Sequence, residues 1–109
     1  MSTLGLNDGG QSEVPSTFEL GQNYPNPFNP STTIPFSVPE SGRVTLKVFN
    51  LLAEEVATLL DGSRVAGRGS VVFSVNEPGG RGKRLPSGVY FYRLTAGNLV
   101  QTRRMVLLQ

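Results

Sequence analysis

Arg43-Val44-Thr45-Leu46-Lys47-Val48-Phe49-Asn50 is the stretch whose reading decides the fold. Successive side chains of an extended strand point to opposite faces, so Val44, Leu46 and Val48 share one side and Arg43, Thr45 and Lys47 the other. The pattern specifies a strand with one buried face and one wet face.

Toward the N-terminus the same logic repeats. Pro39-Glu40-Ser41-Gly42 supplies a turn, and before it Ile34, Phe36 and Val38 recur at period two within Thr32 to Val38. Pro35 inside that run cannot donate to a ladder, which implies an edge position or an interrupted ladder. Further back, Phe18 and Leu20 alternate around Glu19 and lead into Gln22-Asn23-Tyr24-Pro25-Asn26-Pro27-Phe28-Asn29-Pro30. Its prolines, two of them preceded by Asn, hold the chain extended or turned and forbid a helix. Tyr24 and Phe28 are available there to pin the loop to a core. Residues 1–16 are polar and Gly-rich with no period, the character of a flexible linker or an expression leader, so the folded domain is expected over residues 17–109.

Toward the C-terminus, Leu51 to Leu60 fits two templates: Val56, Leu59 and Leu60 make a helical stripe, Val56, Thr58 and Leu60 a strand face. The neighbouring strands favour β. Asp61-Gly62 and Gly67-Arg68-Gly69 are expected to bracket a loop, followed by a strand carrying Val71, Phe73 and Val75. Glu77 to Gly88 is a polar connection. In Gly88 to Ala96 the run of Val89, Tyr90, Phe91, Tyr92 and Leu94 predicts a central strand buried on both faces. Gly97-Asn98 makes a hairpin turn, and Leu99 to Leu108 returns as the last strand. About seven short strands with turns every 8 to 12 residues predict an all-β chain folded as an immunoglobulin-like antiparallel β-sandwich.

Composition agrees and excludes. With 13 Gly and 8 Pro in 109 residues, turns are frequent, while 38% hydrophobic residues suffice for one core. There is no Cys and no His. Thiol nucleophiles, imidazole bases, Ser-His-Asp triads and the usual zinc sites are therefore out, and no catalytic residue, cofactor or metal ligand is expected. The net charge of +2 comes from basic residues spread from Arg43 to Arg104. That spread reads as a solvated surface rather than a nucleic-acid face. No stretch reaches the ~18 apolar residues of a membrane helix.

Three segments carry a family resemblance: Gln22 to Pro30, then Pro86-Ser87-Gly88-Val89-Tyr90-Phe91-Tyr92-Arg93-Leu94, then Arg104-Met105-Val106-Leu107-Leu108. In that order they resemble the C-terminal sorting domain of type IX secretion cargo, itself similar to the Ig-like domain of flagellar hook-capping proteins. The resemblance spans Phe18 to Gln109. It implies a non-catalytic, monomeric address label on a protein that is secreted or held at the cell surface. The parent would pass through the periplasm to an outer-membrane translocon, and a surface sortase would cut the label off, with an anchor joined in its place. Two departures stand out. Ala53 occupies a turn where the family usually has Gly, and Gly79 to Arg84 makes a longer connection than in many sorting domains.

The candidate sites follow. Arg103, Arg104, Met105, Val106, Leu107 and Leu108, in the terminal strand, are the expected translocon-recognition residues, since a terminal strand detaches or adds a partner strand most readily. Tyr24, Pro25, Asn26, Pro27 and Phe28 form a rigid loop that loses little entropy on docking; the plainer reading is that its aromatics cover one open end of the sandwich. Tyr90, Phe91 and Tyr92 suggest a sugar platform, which would make the chain a carbohydrate-binding or adhesion module, but consecutive strand positions cannot all share a face. Glu54, Glu55 and Asp61 lack the spacing of a calcium loop. Gly79-Gly80-Arg81-Gly82-Lys83 lacks that of a phosphate loop.

Overall fold

The computed structural model describes residues 17–75 and 85–109. The expectations for residues 1–16 and for the Gly-rich connection that holds the phosphate-loop look-alike fall outside these.

Seven strands follow one another: β1 (Glu19–Leu20), β2 (Ser31–Val38), β3 (Gly42–Phe49), β4 (Glu55–Arg64), β5 (Gly67–Ser74), β6 (Gly88–Ala96) and β7 (Leu99–Leu107). They form a three-stranded sheet ordered β1-β2-β5 and a four-stranded sheet ordered β4-β3-β6-β7, all antiparallel. The expected immunoglobulin-like sandwich is thus the observed one. The core lies between the sheets because each strand turns its apolar set inward: Ile34, Phe36 and Val38 from β2, Val44, Leu46 and Val48 from β3, Tyr90, Tyr92 and Leu94 from β6, Met105 and Leu107 from β7. The hydroxyl of Tyr90 donates to the carbonyl of Pro86 at 2.7 Å. This is the tyrosine-corner geometry of such sandwiches, a Tyr near the start of the sixth strand tied to backbone a few residues upstream.

The ambiguous Leu51 to Leu60 segment resolves as a turn followed by strand, with Ala57 buried and two register shifts against β3. Three details depart from the sequence reading. Asp61-Gly62 and Gly67–Gly69 lie inside β4 and β5, not in a loop between them. Gly69 is there for close approach: a Cβ would stand 2.9 Å from Cζ of Phe36 and 2.6 Å from a guanidinium nitrogen of Arg64. A strand glycine of this kind marks two groups pressed against the backbone, not a turn. Second, β6 is central as expected, between β3 and β7. It is buried on one face only, with Phe91 half-buried and Arg93 exposed. Third, of the two readings of Pro35 the edge position fails and the interrupted ladder holds: it sits in the middle strand of its sheet, where pairing with β1 ends. Its carbonyl accepts from Gly21 N at 2.8 Å, just past the end of β1, but it has no N–H to return to the Gly21 carbonyl, which takes the Tyr92 hydroxyl instead, so the β1 ladder ends there on half a pair.

Candidate functional site

β7 is an edge strand, with β6 on one side only. Its outer side is nevertheless closed from Arg104 onward, because the proline-rich loop lies along it. Phe28 N donates to the Val106 carbonyl at 2.9 Å, and Leu108 N donates to the Phe28 carbonyl at 3.0 Å. Val106 N donates to Oδ1 of Asn26 at 3.0 Å, and Nε2 of Gln22 donates to the Arg104 carbonyl at 3.0 Å. The two segments singled out in the sequence, some eighty positions apart, are one structural unit. The loop satisfies the edge as a further strand would.

What holds the loop is a buried polar knot. Asn23 is 2% exposed and Thr32 2% exposed. Asn23 Nδ2 donates to Thr32 Oγ1 at 3.0 Å and to the Pro25 carbonyl at 3.2 Å, and Thr32 Oγ1 donates to the same carbonyl at 2.9 Å. Below them the Tyr92 hydroxyl accepts from Asn23 N at 2.9 Å and donates to the Gly21 carbonyl at 2.8 Å. Burial raises the Tyr92 pKa, against the opposing pull of the Asn23 N–H and the positive charge of Arg103. The hydroxyl therefore keeps its proton and its donor role. Burial likewise raises Tyr90. The peptide bonds preceding Pro25, Pro27 and Pro30 are cis.

A second seam closes the same side of the sandwich. Gln101 and Arg103 share strand parity with Met105 and Leu107, so their side chains turn toward the opposite sheet. There Gln101 accepts from Leu20 N at 2.8 Å and donates to the Phe18 carbonyl at 3.1 Å, while Nε of Arg103 donates to the Leu20 carbonyl at 2.5 Å. β1 is two residues long and borrows these side chains in place of a second partner strand.

The expected recognition residues consequently divide. Arg103, Arg104 and Leu108 are exposed and Val106 is partly covered, but Met105 and Leu107 are wholly buried. The period-two alternation that makes the strand also drives those two into the core, so a partner reading the folded domain touches the others. The loop divides too. Phe28 is buried, 6.0 Å from the Phe73 ring between centroids, and plugs the sandwich end. Tyr24 stays 63% exposed and contributes only its backbone, bridged to Thr33. It does not pin the loop, contrary to expectation; Asn23 does. Pro25, Asn26 and Pro27 are exposed. Of the aromatic trio, Tyr90 and Tyr92 point inward and Phe91 outward, beside Phe49 of β3.

On the outer face of the four-stranded sheet, Asp61 pairs with Arg43 at 2.6 Å and Glu55 with Lys47 at 3.4 Å. Glu54 holds the Asn50 amide at 2.8 Å. The acids considered for calcium are thus spread among local partners, and among the described residues no three potential metal ligands come together.

The sequence reading missed Asn23, Thr32, Gln101 and Gln22. The available signal was parity: Thr32 falls on the Ile34, Phe36, Val38 face, and Gln101 and Arg103 on the Met105, Leu107 face. A polar residue in an apolar register needs a buried partner.

Comparison with known proteins places this geometry. The family model described as secretion system C-terminal sorting domain matches residues 22–108. No curated protein matches the chain. Among solved structures, the sandwich is similar to part of PorZ, an essential bacterial surface component of the type-IX secretion system of Porphyromonas gingivalis. The TM-score is 0.52 at 15% identity, covering 84% of this chain and 11% of that one. That likeness concerns the fold, and the chain spans about a tenth of PorZ.

Proposed function

The chain belongs to the family of secretion-system C-terminal sorting domains, and from that premise we propose how it serves as the address label of a secreted or cell-surface parent protein. The label is read folded, by the type IX outer-membrane translocon, after the parent has reached the periplasm. A surface sortase then removes it and an anchor replaces it. The domain works as a monomer, without chemistry of its own. The docking surface is the exposed part of the junction: Tyr24 to Pro27 of the loop with Arg103, Arg104 and Leu108 of β7.

One observation supports this reading above the others. The loop and the terminal strand, both inside the family match, are hydrogen-bonded into one surface. The hydrogen bonds that hold it fix the loop backbone against the strand, so little loop entropy is lost on binding. The carbohydrate alternative is weakened, because two of the three rings of its platform are in the core.

The test is a fusion of the whole chain to a periplasmic reporter in a bacterium with type IX machinery. Reporter in the medium is the expected outcome; reporter held in the periplasm overturns the proposal. Deleting Met105 to Gln109 is no substitute, since it removes two wholly buried side chains and confounds recognition with unfolding.

A further inference from the structure

The outer face of the four-stranded sheet is electrostatically lopsided. On its β3–β4 side both cations have carboxylate partners, Arg43 with Asp61 and Lys47 with Glu55. On its β6–β7 side Arg93 and Arg104 have none among the described residues, and Arg103 at the β7 edge, turned toward the opposite sheet, has none either. Arg93 lies over the Phe49 ring, 4.7 Å from its centroid, and Arg103 is held by the Leu20 carbonyl. Arg104 is exposed, opposite Phe91 in the ladder.

The surface between these arginines is concave. One hollow of about 500 Å³ is bordered by Arg103, Arg104, Phe91 and Thr102 beside the loop. A smaller one of about 160 Å³ is bordered by Phe49, Arg93, Phe91 and Thr102 beside the β3–β4 turn. Phe91 and Thr102 border both, so the two shallow hollows adjoin as an open groove across the sheet. No carboxylate lines either of them. A half-buried aromatic floor between unneutralised guanidiniums is the chemistry that receives a carboxylate-bearing chain: guanidinium forks take carboxylates in bidentate pairs, and the ring takes an apolar side chain between them.

We propose that this groove docks an acidic segment of a protein of the export apparatus, with carboxylates on Arg93 and Arg104 flanking an apolar residue set against Phe91. The inference rests on the sorting function proposed above and extends its docking surface from the loop and β7 onto the open sheet face. Charge complementarity selects the occupant, since guanidiniums spaced on either side of an aromatic ring match carboxylates spaced on either side of an apolar side chain.

The whole chain fused to a reporter provides the first arm. Arg93→Glu with Arg104→Glu is compared with Arg43→Glu with Lys47→Glu, which changes net charge equally on the already neutralised side. Export of the first pair should fall about tenfold or more, and that of the second stay within about twofold. Thermal unfolding of each purified variant checks folding, with Arg93→Gln and Arg104→Gln as the milder pair if the reversal unfolds the domain. In the second arm a fluorescent peptide of alternating glutamate and leucine is titrated onto the unfused chain. Binding should be saturable, should weaken as salt rises from about 50 to about 300 mM, and should be about tenfold weaker for the Arg93 and Arg104 pair. Vesicles of equal parts phosphatidylcholine and phosphatidylglycerol form the third arm. Unmodified fusion that stays in the cell overturns the sorting function itself. Normal export with both variant pairs indistinguishable overturns the groove alone. Arginine-dependent capture by the vesicles without peptide binding assigns the face to a lipid surface and overturns the protein partner.

Discussion

The two long edges of this sandwich are closed in opposite ways. Along β1 and β7 the seam is polar and specified residue by residue: Gln22, Asn23, Asn26, Thr32, Tyr92, Gln101 and Arg103 each place a hydrogen bond on a particular backbone group or on one another. Along β4 and β5 the seam is mostly shape. Arg64 stacks over Phe36 at 5.3 Å, Gly69 lets them approach, and Ser41 takes the Ala66 N–H at 3.1 Å. Val65 and Val72 remain 81% and 61% exposed there. Buried polar bonds demand fixed partners at fixed distances, whereas apolar contact tolerates many sequences. The polar edge is therefore where the chain has a unique geometry to offer a reader.

The sharpest way to break the contrast is Leu107→Ala, which hollows the core under the polar seam. Chemical unfolding should show a loss of about 3–4 kcal/mol, in the upper range for a fully buried leucine. The corresponding change on the other edge, at exposed Val72, should stay within about 0.5 kcal/mol.

Tyr92→Phe keeps the ring and removes the hydroxyl, leaving the Asn23 N–H and the Gly21 carbonyl without their partner. A loss of about 2 kcal/mol is expected, with faster amide exchange at Asn23. The same variant sharpens the pH behaviour. Because burial raises the folded pKa of Tyr92 above the ordinary 10.0, its contribution is intact below that value. It is lost as pH climbs through the raised one. Alkaline titration should show the wild type destabilised above pH 10, with a shallower slope for Tyr92→Phe.

On the shape-closed edge, Gly69→Ala forces the buried Phe36 ring to move. A cost of about 1–2 kcal/mol is expected, read as a thermal midpoint lower by several degrees.

The smallest effect has the opposite sign. Ala53 adopts φ 65°, left-handed backbone in a turn braced by Asn50, whose side chain accepts from Leu52 N at 2.9 Å and Glu54 N at 3.0 Å. The alanine in this turn thus carries a real strain. Ala53→Gly should raise stability by about 0.5–1 kcal/mol, the relief being partly offset by the entropy glycine adds to the unfolded chain. An unchanged midpoint would mean that the Asn50 bonds already compensate the strain.

Much of the architecture was legible in the sequence, and for one reason. Period two in Val44-Leu46-Val48, Ile34-Phe36-Val38 and Tyr90-Tyr92-Leu94 states both the strand and its buried face. Gly97 with φ 60° closes the β6–β7 hairpin as the Gly-Asn pair indicated. Glycine was less readable. Gly62, Gly67 and Gly69 read as loop because sequence cannot tell a glycine that turns the chain from one that admits a neighbour. Of the candidate site, both segments were identified, yet their apposition was not, and neither was the inward turn of Met105 and Leu107.

By itself the sequence determined the strands, their buried faces, the absence of thiol and imidazole chemistry, and the segments that carry the family pattern. All of these follow from side-chain type and local spacing. Only the tertiary structure decided that the proline loop caps β7, that Tyr92 ties it down, and that Arg93 and Arg104 face outward with no carboxylate partner among the described residues. Each of those depends on which strand edges lie side by side, and pairing across some eighty residues is set by how the whole core closes.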